Sequence, residues 1–587
     1  MPPIPLTPDQ QALLRGEKGV ARQMAMRLVL DIAAAAGASA LLPIQSAHLS
    51  GVSPLTGGLG LRLFLAKLAA DPQARVVVPT TLNSAGCDEG QFDLMHIVAP
   101  DFLAQNHEIV ALYTQLGVQP LQSCIPYEWD GVVTEGVGAW AESNAICFGN
   151  SYCGLQTNRE SGLSALACAL TGYTPKYGLL VEGADRPNLQ VIVTAALDDP
   201  TDFSVLGDWI GSQRGPGWRM PLGPMPLLRG LPADLSHEQR KALTAAAANY
   251  GCPKLYLDGE PNLPAPAFQA TLHFTPATLA QRYAALAPAG PPSLIVLGCP
   301  QASVGELRAI AALLQGRRVL RSPDQATPWL WVFTSRHNRA IAEHTGLAPV
   351  ITGAGALLLA DTCPEVVPYD PAWVRRVLTN SMKAEHYIKS GLNGLPTSVM
   401  RLADCVAVAV GERVVTESAE SIPTPPPPSP SPPAAIHPTS ANNQAPFTAD
   451  GQGLPSQGDF TLSGEAFVTA TPITFLGYVN RETGVIEEAG HPAHGQSLAG
   501  KIAIFPKGSG STVAPYVLLE LFYRGRAPLA IVNTDIDQQS APACSLEGIP
   551  YAYGFTADLF GHINSGDRVE LTRRGEQVTL RVVARAG

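Results

Sequence analysis

Through the long N-terminal part of the chain, short apolar runs alternate with stretches whose apolar residues recur at helical spacing. The runs "ARVVVP" (74–79), "LQVIVTAAL" (189–197), "SLIVLG" (293–298), "PWLWVF" (328–333) and "GALLLA" (355–360) are rich in Val, Ile and Leu and predict strands. Amphipathic segments lie between several of them, so the pattern predicts an α/β fold with helices layered on sheets. Thr7, Pro8 and Gln10 form a helix start with a capping box, and "GVARQMAMRLVLDIAAAAG" continues as a helix closed by Gly37. Ser303 and Glu306 make a second S-x-x-E start, just past the apolar run Leu294 to Leu297. Cys299 therefore falls on a strand-to-helix loop, where open α/β sheets collect ligands.

The pattern breaks at Glu420. "ESIPTPPPPSPSPPAAIHPTSANNQ" has too few apolar side chains to offset its ordering entropy. Its prolines favour an extended form rising roughly 3.1 Å per residue, which predicts a semi-rigid spacer more readily than an SH3-type ligand. Beyond it, "GKIAIFP", "APLAIVN" and "QVTLRVVA" predict strands around the helix "APYVLLELFYRG". The expected organisation is a large body at 1–418, a Pro-rich linker at 419–455 and a small domain at 456–587. A chain of 587 residues is too long for one core in any case.

A net charge of −10 argues against broad nucleic-acid binding, which needs clustered Lys and Arg. A small-molecule partner is the expectation. The first residues lack a basic segment followed by an apolar one, and "LVLDIAAAAGASALLPI" carries Asp31, so neither a secretory signal nor a membrane span is expected. Ten cysteines without an export signal point to a reducing compartment, and the cytoplasm is the default.

No G-x-x-x-x-G-K-[ST] loop and no C-x-x-C pair occurs, so phosphate-cradle and zinc-knuckle chemistry lose support. Three cysteines share a context: Cys124, Cys299 and Cys363 each follow an apolar run, with a proline soon after. For a single cysteine, burial as a small hydrophobe is the commoner outcome, and the shared context makes burial and a cluster held by dispersed thiolates about equally supported. Cys168 and Cys405 sit inside apolar patterns and are expected in the core. Polar loops offer Asn83, Ser84, Glu142, Ser143, Asn158 and Arg159, although turns of Asn, Ser and Gly account for most such residues. Ser46 and His48 follow "ALLPIQ", and Lys383 near a helix start has solvated charge as its ordinary explanation. "PKGSGSTVAPYVLLEL" places Gly508, Ser509, Gly510, Ser511 and Thr512 between a strand and a helix, where backbone N–H groups can face an anion and a serine oxygen can be exposed.

Taken together, "SAHLSG", "TLNSAGCDEG", "SCIPYEWDGVVTEGVGAWAESNAICFGNSYCGLQTNRES", "GCPQAS", "DTCP", "TNSMKAEHY" and "ITFLGYVNRETGVIEEAGHPAHGQSLAGKIAIFPKGSGST" resemble aconitase X, a branch of the aconitase superfamily. The resemblance spans nearly the whole chain apart from the linker. It implies an aconitase-like multi-domain α/β body joined to a small swivelling β/α domain. It also implies an iron–sulfur cluster held by Cys124, Cys299 and Cys363, its iron count open and [2Fe–2S] one option. The family's usual "GCPH" is "GCPQ" here, with Gln301 in place of histidine.

The family occurs as two subunits or as one fused chain. The fused kind is associated with dehydration of cis-3-hydroxy-L-proline and the two-subunit kind with mevalonate 5-phosphate. This fused chain is therefore expected to be a monomeric hydro-lyase forming 1-pyrroline-2-carboxylate through an enamine. A swivel-domain serine would be the base, Ser509 first and Ser511 next, and the substrate would be bound by residues among Ser46, His48, Asn83, Ser84, Glu142, Ser143, Asn158, Arg159, Lys383, Gly508, Gly510 and Thr512. The alternatives are dehydration of mevalonate 5-phosphate or another hydroxy acid, and a noncatalytic iron or redox sensor.

Overall fold

The computed structural model describes residues 4–586 apart from 214, 216–217, 233, 321–328, 391, 417–446 and 510. Most of the segment expected as a linker lies outside these residues. Its end does not, because Thr448–Gly453 is a barrel strand paired with Gln577–Ala584, so the small unit starts ahead of the expected boundary at 456.

Among the described residues, three parallel sheets and an antiparallel pair, Leu41–Pro43 with Tyr173–Pro175, build the body. The first runs Thr80–Leu82, Ser46–Leu49, Gly136–Trp140 and Leu155–Gln156. The second runs Ala270–Phe274, Leu189–Val193, Pro226–Arg229 and Tyr256–Leu257. The third runs Leu357–Ala360, Trp329–Thr334, Leu294–Ala302, Val377–Thr379 and Thr397–Val399. The apolar runs became strands with one exception. In "ARVVVP" the amides of Val76 and Val77 donate to the carbonyls of Leu116 and Ala169, outside any ladder, and the strand begins only at Thr80.

A parallel strand covered on both faces needs apolar residues at every position. In Leu294–Ala302, Ile295 and Leu297 pack into one core with Leu307 and Ile310, while Leu294 and Val296 pack into another with Trp331 and Phe333. Strict alternation would send Cys299 to the face of Leu297. Instead the ladder shifts between Leu297 and Ala302, and Cys299 packs on the opposite face. The reversal occurs at Gly298, whose φ is +88° and where a Cβ would stand 2.0 Å from the Phe333 carbonyl oxygen. Cys299 thus lies in a bulge at the strand's end rather than on the following loop, and Ser303 and Glu306 form the expected capping box after it.

The small unit is a closed barrel of Thr448–Gly453, Tyr551–Tyr553, Ala530–Asn533, Ile502–Phe505, Phe460–Val468, Arg568–Arg574 and Gln577–Ala584. Its helix Pro515–Tyr523 packs on the body helix Pro54–Ala69. The approach is close at Gly60, where a Cβ would meet the Glu520 nitrogen at 2.5 Å and the Tyr516 carbonyl oxygen at 2.6 Å. Polar contacts fix the same docking. Tyr516 donates to the Ser50 carbonyl at 3.1 Å, and Arg481 donates to the Leu55 and Thr56 carbonyls at 3.2 and 2.8 Å. Asp31 of the body accepts from the Ser456 amide at 2.7 Å and from the hydroxyls of Ser456 and Ser545. Among the described residues, no helix is long and apolar enough to cross a membrane.

Candidate active site

The docked barrel unit closes a narrow cleft of about 50 Å³ against the body. Asn83, Ser84, Cys124, Glu142, Ser143, Cys363, Glu365 and Lys383 line it from the body, and Ser511 and Thr512 from the small unit. Cys299 stands just behind, its thiol donating to Glu365 Oε1 at 2.9 Å.

Each of the three cysteines is preceded by a backbone reversal. Gln122 (φ +54°) lies two residues before Cys124, Asp361 (φ +66°) two residues before Cys363, and Gly298 directly before Cys299. Left-handed conformations are costly outside glycine and persist where surrounding structure enforces them. Arg336 supplies that enforcement, since its guanidinium bonds the Gln122 side chain and pairs with Asp361 at 2.7 Å.

Burial raises all three thiols. It pushes Cys124 up to about 11, with Lys383 opposing, and it pushes Cys299 and Cys363 well above the ordinary thiol value with the help of Glu365. Lys383 is itself buried, so solvated charge was the wrong explanation for it. Its ammonium reaches Glu142 at 3.0 Å, Glu365 at 3.1 Å and Asn144 Oδ1 at 2.7 Å. Burial works against this cation, but the two carboxylates outweigh it and hold Lys383 well above its usual value.

Other expected site residues divide. Asn83 donates to Glu142 at 2.5 Å, and Arg159 donates to Ser143 at 3.2 Å. His48 is fully buried and bonded to Thr81 at 2.8 Å, and burial pushes its imidazole down to about 4 against the pull of Glu142. Ser46 is structural, donating to the Val133 carbonyl at 2.8 Å and accepting from the Trp140 indole at 3.1 Å. Asn158 bridges the Tyr177 carbonyl and the Leu179 amide and lines a wider cavity rather than the cleft.

In the small unit the first-choice serine is displaced. Gly508–Ser509 forms a two-residue strand with Ile473–Thr474, which turns the Ser509 hydroxyl onto Thr474 at 2.7 Å, whereas Ser511 lines the cleft. The Gly508 N–H is spent on the Asp537 carboxyl at 2.8 Å, so it is not open to a substrate anion. Gly510 lies outside the described residues. Thr512 donates to the Ala141 carbonyl at 2.9 Å, beside Glu142.

Glu365 and Asn144 were not anticipated. The signal for Glu365 was its place two residues after Cys363 in "DTCPE". Asn144 donates to the Cys124 carbonyl at 2.7 Å besides meeting Lys383. That wider cavity, of about 590 Å³, is lined by Arg159, which bonds the cleft residue Ser143, and by Lys507 and Gln538 of the small unit.

The donor set suits an iron–sulfur cluster. Three buried, unbridged thiols come from two loops and a strand-end bulge around one cleft, and the buried Ser84 Oγ and Asn83 Oδ1 lack partners. Among the described residues, no group of three or more His, Cys, Asp or Glu could hold one ion. That bears on a single ion and not on a cluster, whose thiolates each bind a single iron and are divided among several irons bridged by sulfide. Cys147 belongs to the second sheet's core and not to this set.

Family models for the aconitase X first domain, third domain and swivel domain match residues 3–183, 292–411 and 456–580. The chain belongs to the aconitase X family. It is 31% identical over 397 residues to the phosphomevalonate dehydratase large subunit of Thermococcus kodakarensis, covering 66% of this chain and 95% of that one. It is 35% identical over 421 residues to cis-3-hydroxy-L-proline dehydratase of Pseudomonas aeruginosa, covering 69% of each. The crystal structure of Thermococcus kodakaraensis aconitase X in its holo-form superposes with a TM-score of 0.61 at 29% identity, over 69% of this chain and all of that one.

Proposed function

We propose that the chain is a hydro-lyase that dehydrates cis-3-hydroxy-L-proline to 1-pyrroline-2-carboxylate. The observation that carries the substrate is the shape of the matches. The Pseudomonas relative is matched over equal shares of both chains, so its length is close to this one, whereas the archaeal large subunit is used up by the body alone.

Cys124, Cys299 and Cys363 would hold an iron–sulfur cluster in the cleft. When bound, it supplies a Lewis acid for the substrate carboxylate and C3 hydroxyl. The chain's own residues have the remaining work. Ser511 is the base, because it lines the cleft and its Oγ accepts from the Val513 amide at 3.4 Å, a contact that favours an alkoxide. As the alkoxide its oxygen takes the C2 proton, the C2–H electron pair becomes the C2=C3 bond, and hydroxide leaves C3; the serine then returns that proton to the hydroxide, which departs as water and leaves the serine as the alkoxide it began as. The enamine then tautomerises to the cyclic imine, with no redox change. Lys383, fixed between Glu142 and Glu365, offers a cation to developing negative charge. Thr512 and Tyr516 keep the small unit seated so that bulk water is excluded.

A second reading has its own support. The wide cavity carries Arg159 and Lys507 and, among its described lining residues, no Asp or Glu, which suits the distal phosphate of a substrate such as mevalonate 5-phosphate. A turnover assay of iron-loaded protein with both compounds separates them. Imine from cis-3-hydroxy-L-proline alone supports the first reading, and turnover of mevalonate 5-phosphate alone replaces it.

A further inference from the structure

Gln301 is wholly buried where the loops of Cys124 and Cys363 meet the strand-end bulge of Cys299. Its side-chain Nε2 donates to the Gln122 carbonyl at 3.3 Å, two residues before Cys124, and to the Thr362 carbonyl at 3.0 Å, directly before Cys363. Its own backbone follows Cys299 by two residues, and its N–H donates to Cys124 Sγ at 3.3 Å. One residue therefore touches the loop of every proposed cluster ligand. From behind, the buried ammonium of Lys241 donates to the Gln301 carbonyl at 2.7 Å and pairs with Glu306, which ties this point to the body helix His237–Ala248 and to the helix that follows the strand.

We infer that Gln301 is a positioning residue that sets the spacing of the three thiols before any iron is bound, an inference that rests on the cluster reading above. The chemistry lies in the primary amide. Its nitrogen carries two protons in one plane, about 120° apart, and each is committed to a different loop carbonyl. A neutral imidazole has a single N–H and cannot bridge both carbonyls from one nitrogen. The glutamine that replaces the family's usual histidine in "GCPQ" thus takes up a bracing role open to an amide. Residues that orient metal ligands commonly affect affinity by about 10–100-fold when replaced. The backbone N–H on Cys124 adds a second effect, since hydrogen bonds to ligand sulfurs tune cluster properties.

The test compares wild type, Gln301→Leu and Gln301→His after anaerobic iron–sulfur loading. Iron and sulfide per chain, the visible absorption spectrum and the rate of iron loss to a chelator are measured. Gln301→Leu, of similar volume but without donors, is expected to release iron about 10–100-fold faster with an altered spectrum. Gln301→His, which keeps a polar side chain, is expected between the two and covers the case in which the leucine variant fails to fold. Wild-type release rate and spectrum in either folded variant would overturn the positioning role. Absence of iron from loaded wild type would instead overturn the cluster reading beneath it.

Discussion

The ammonium of Lys383 lies 3.0 Å from the carboxylate of Glu142, although the two residues are 241 positions apart in the chain. Removing the cation from a buried pair strands the charge left behind, at a cost of about 3–5 kcal/mol. Lys383→Met strands two carboxylates, Glu142 and Glu365, and should unfold at markedly lower denaturant. Adding Glu142→Gln to it should restore part of the loss. Denaturant midpoints of the single and double variants check this, and a double variant no better than the single one contradicts it.

His48 gives stability a pH dependence. In the unfolded chain the imidazole takes a proton near 6.5, and in the folded chain only near 4. The unfolded state therefore binds more protons in that window, and stability falls as pH drops from about 6.5 through 4, by roughly 3 kcal/mol in full. His48→Asn should lose less of its melting midpoint than wild type between pH 7 and pH 4.5. Parallel pH profiles of the two proteins would remove His48 as the source.

Gly60 separates closure from ligand assembly. Its missing Cβ lets two helices approach where a methyl group would meet backbone atoms at 2.5 and 2.6 Å. Gly60→Ala should weaken seating of the small unit, an overpacking cost of about 1–3 kcal/mol. Turnover should fall while iron content holds, because all three thiols belong to the body. Full turnover in a folded Gly60→Ala protein would count against the need for close docking.

Much of the body was legible because buried parallel strands need continuous apolar runs, and "SLIVLG", "PWLWVF" and "GALLLA" are such runs. Local caps at Thr7 and Ser303 were legible because their partners are only three residues away. What escaped depended on distant partners. The pairing of Ser509 with Thr474 crosses 35 positions and turns that hydroxyl aside, which favours Ser511. "ARVVVP" has strand composition but finds loop carbonyls at Leu116 and Ala169 in place of a ladder. The face of Cys299 was illegible to a period-two reading, because the bulge at Gly298 reverses it. The three-cysteine set came from the family resemblance, and spacing alone left burial and ligation equally open.

The central claim is that the cleft between the cysteine loops and the small unit performs the dehydration, with Ser511 as base. The most direct test is turnover of cis-3-hydroxy-L-proline by iron-loaded Ser511→Ala and Ser509→Ala, with iron content measured on the same samples. Loss of a general base costs about 10²–10⁴-fold, so Ser511→Ala should fall by that factor with its iron intact while Ser509→Ala stays within a few-fold of wild type. Wild-type turnover in Ser511→Ala would contradict the assignment.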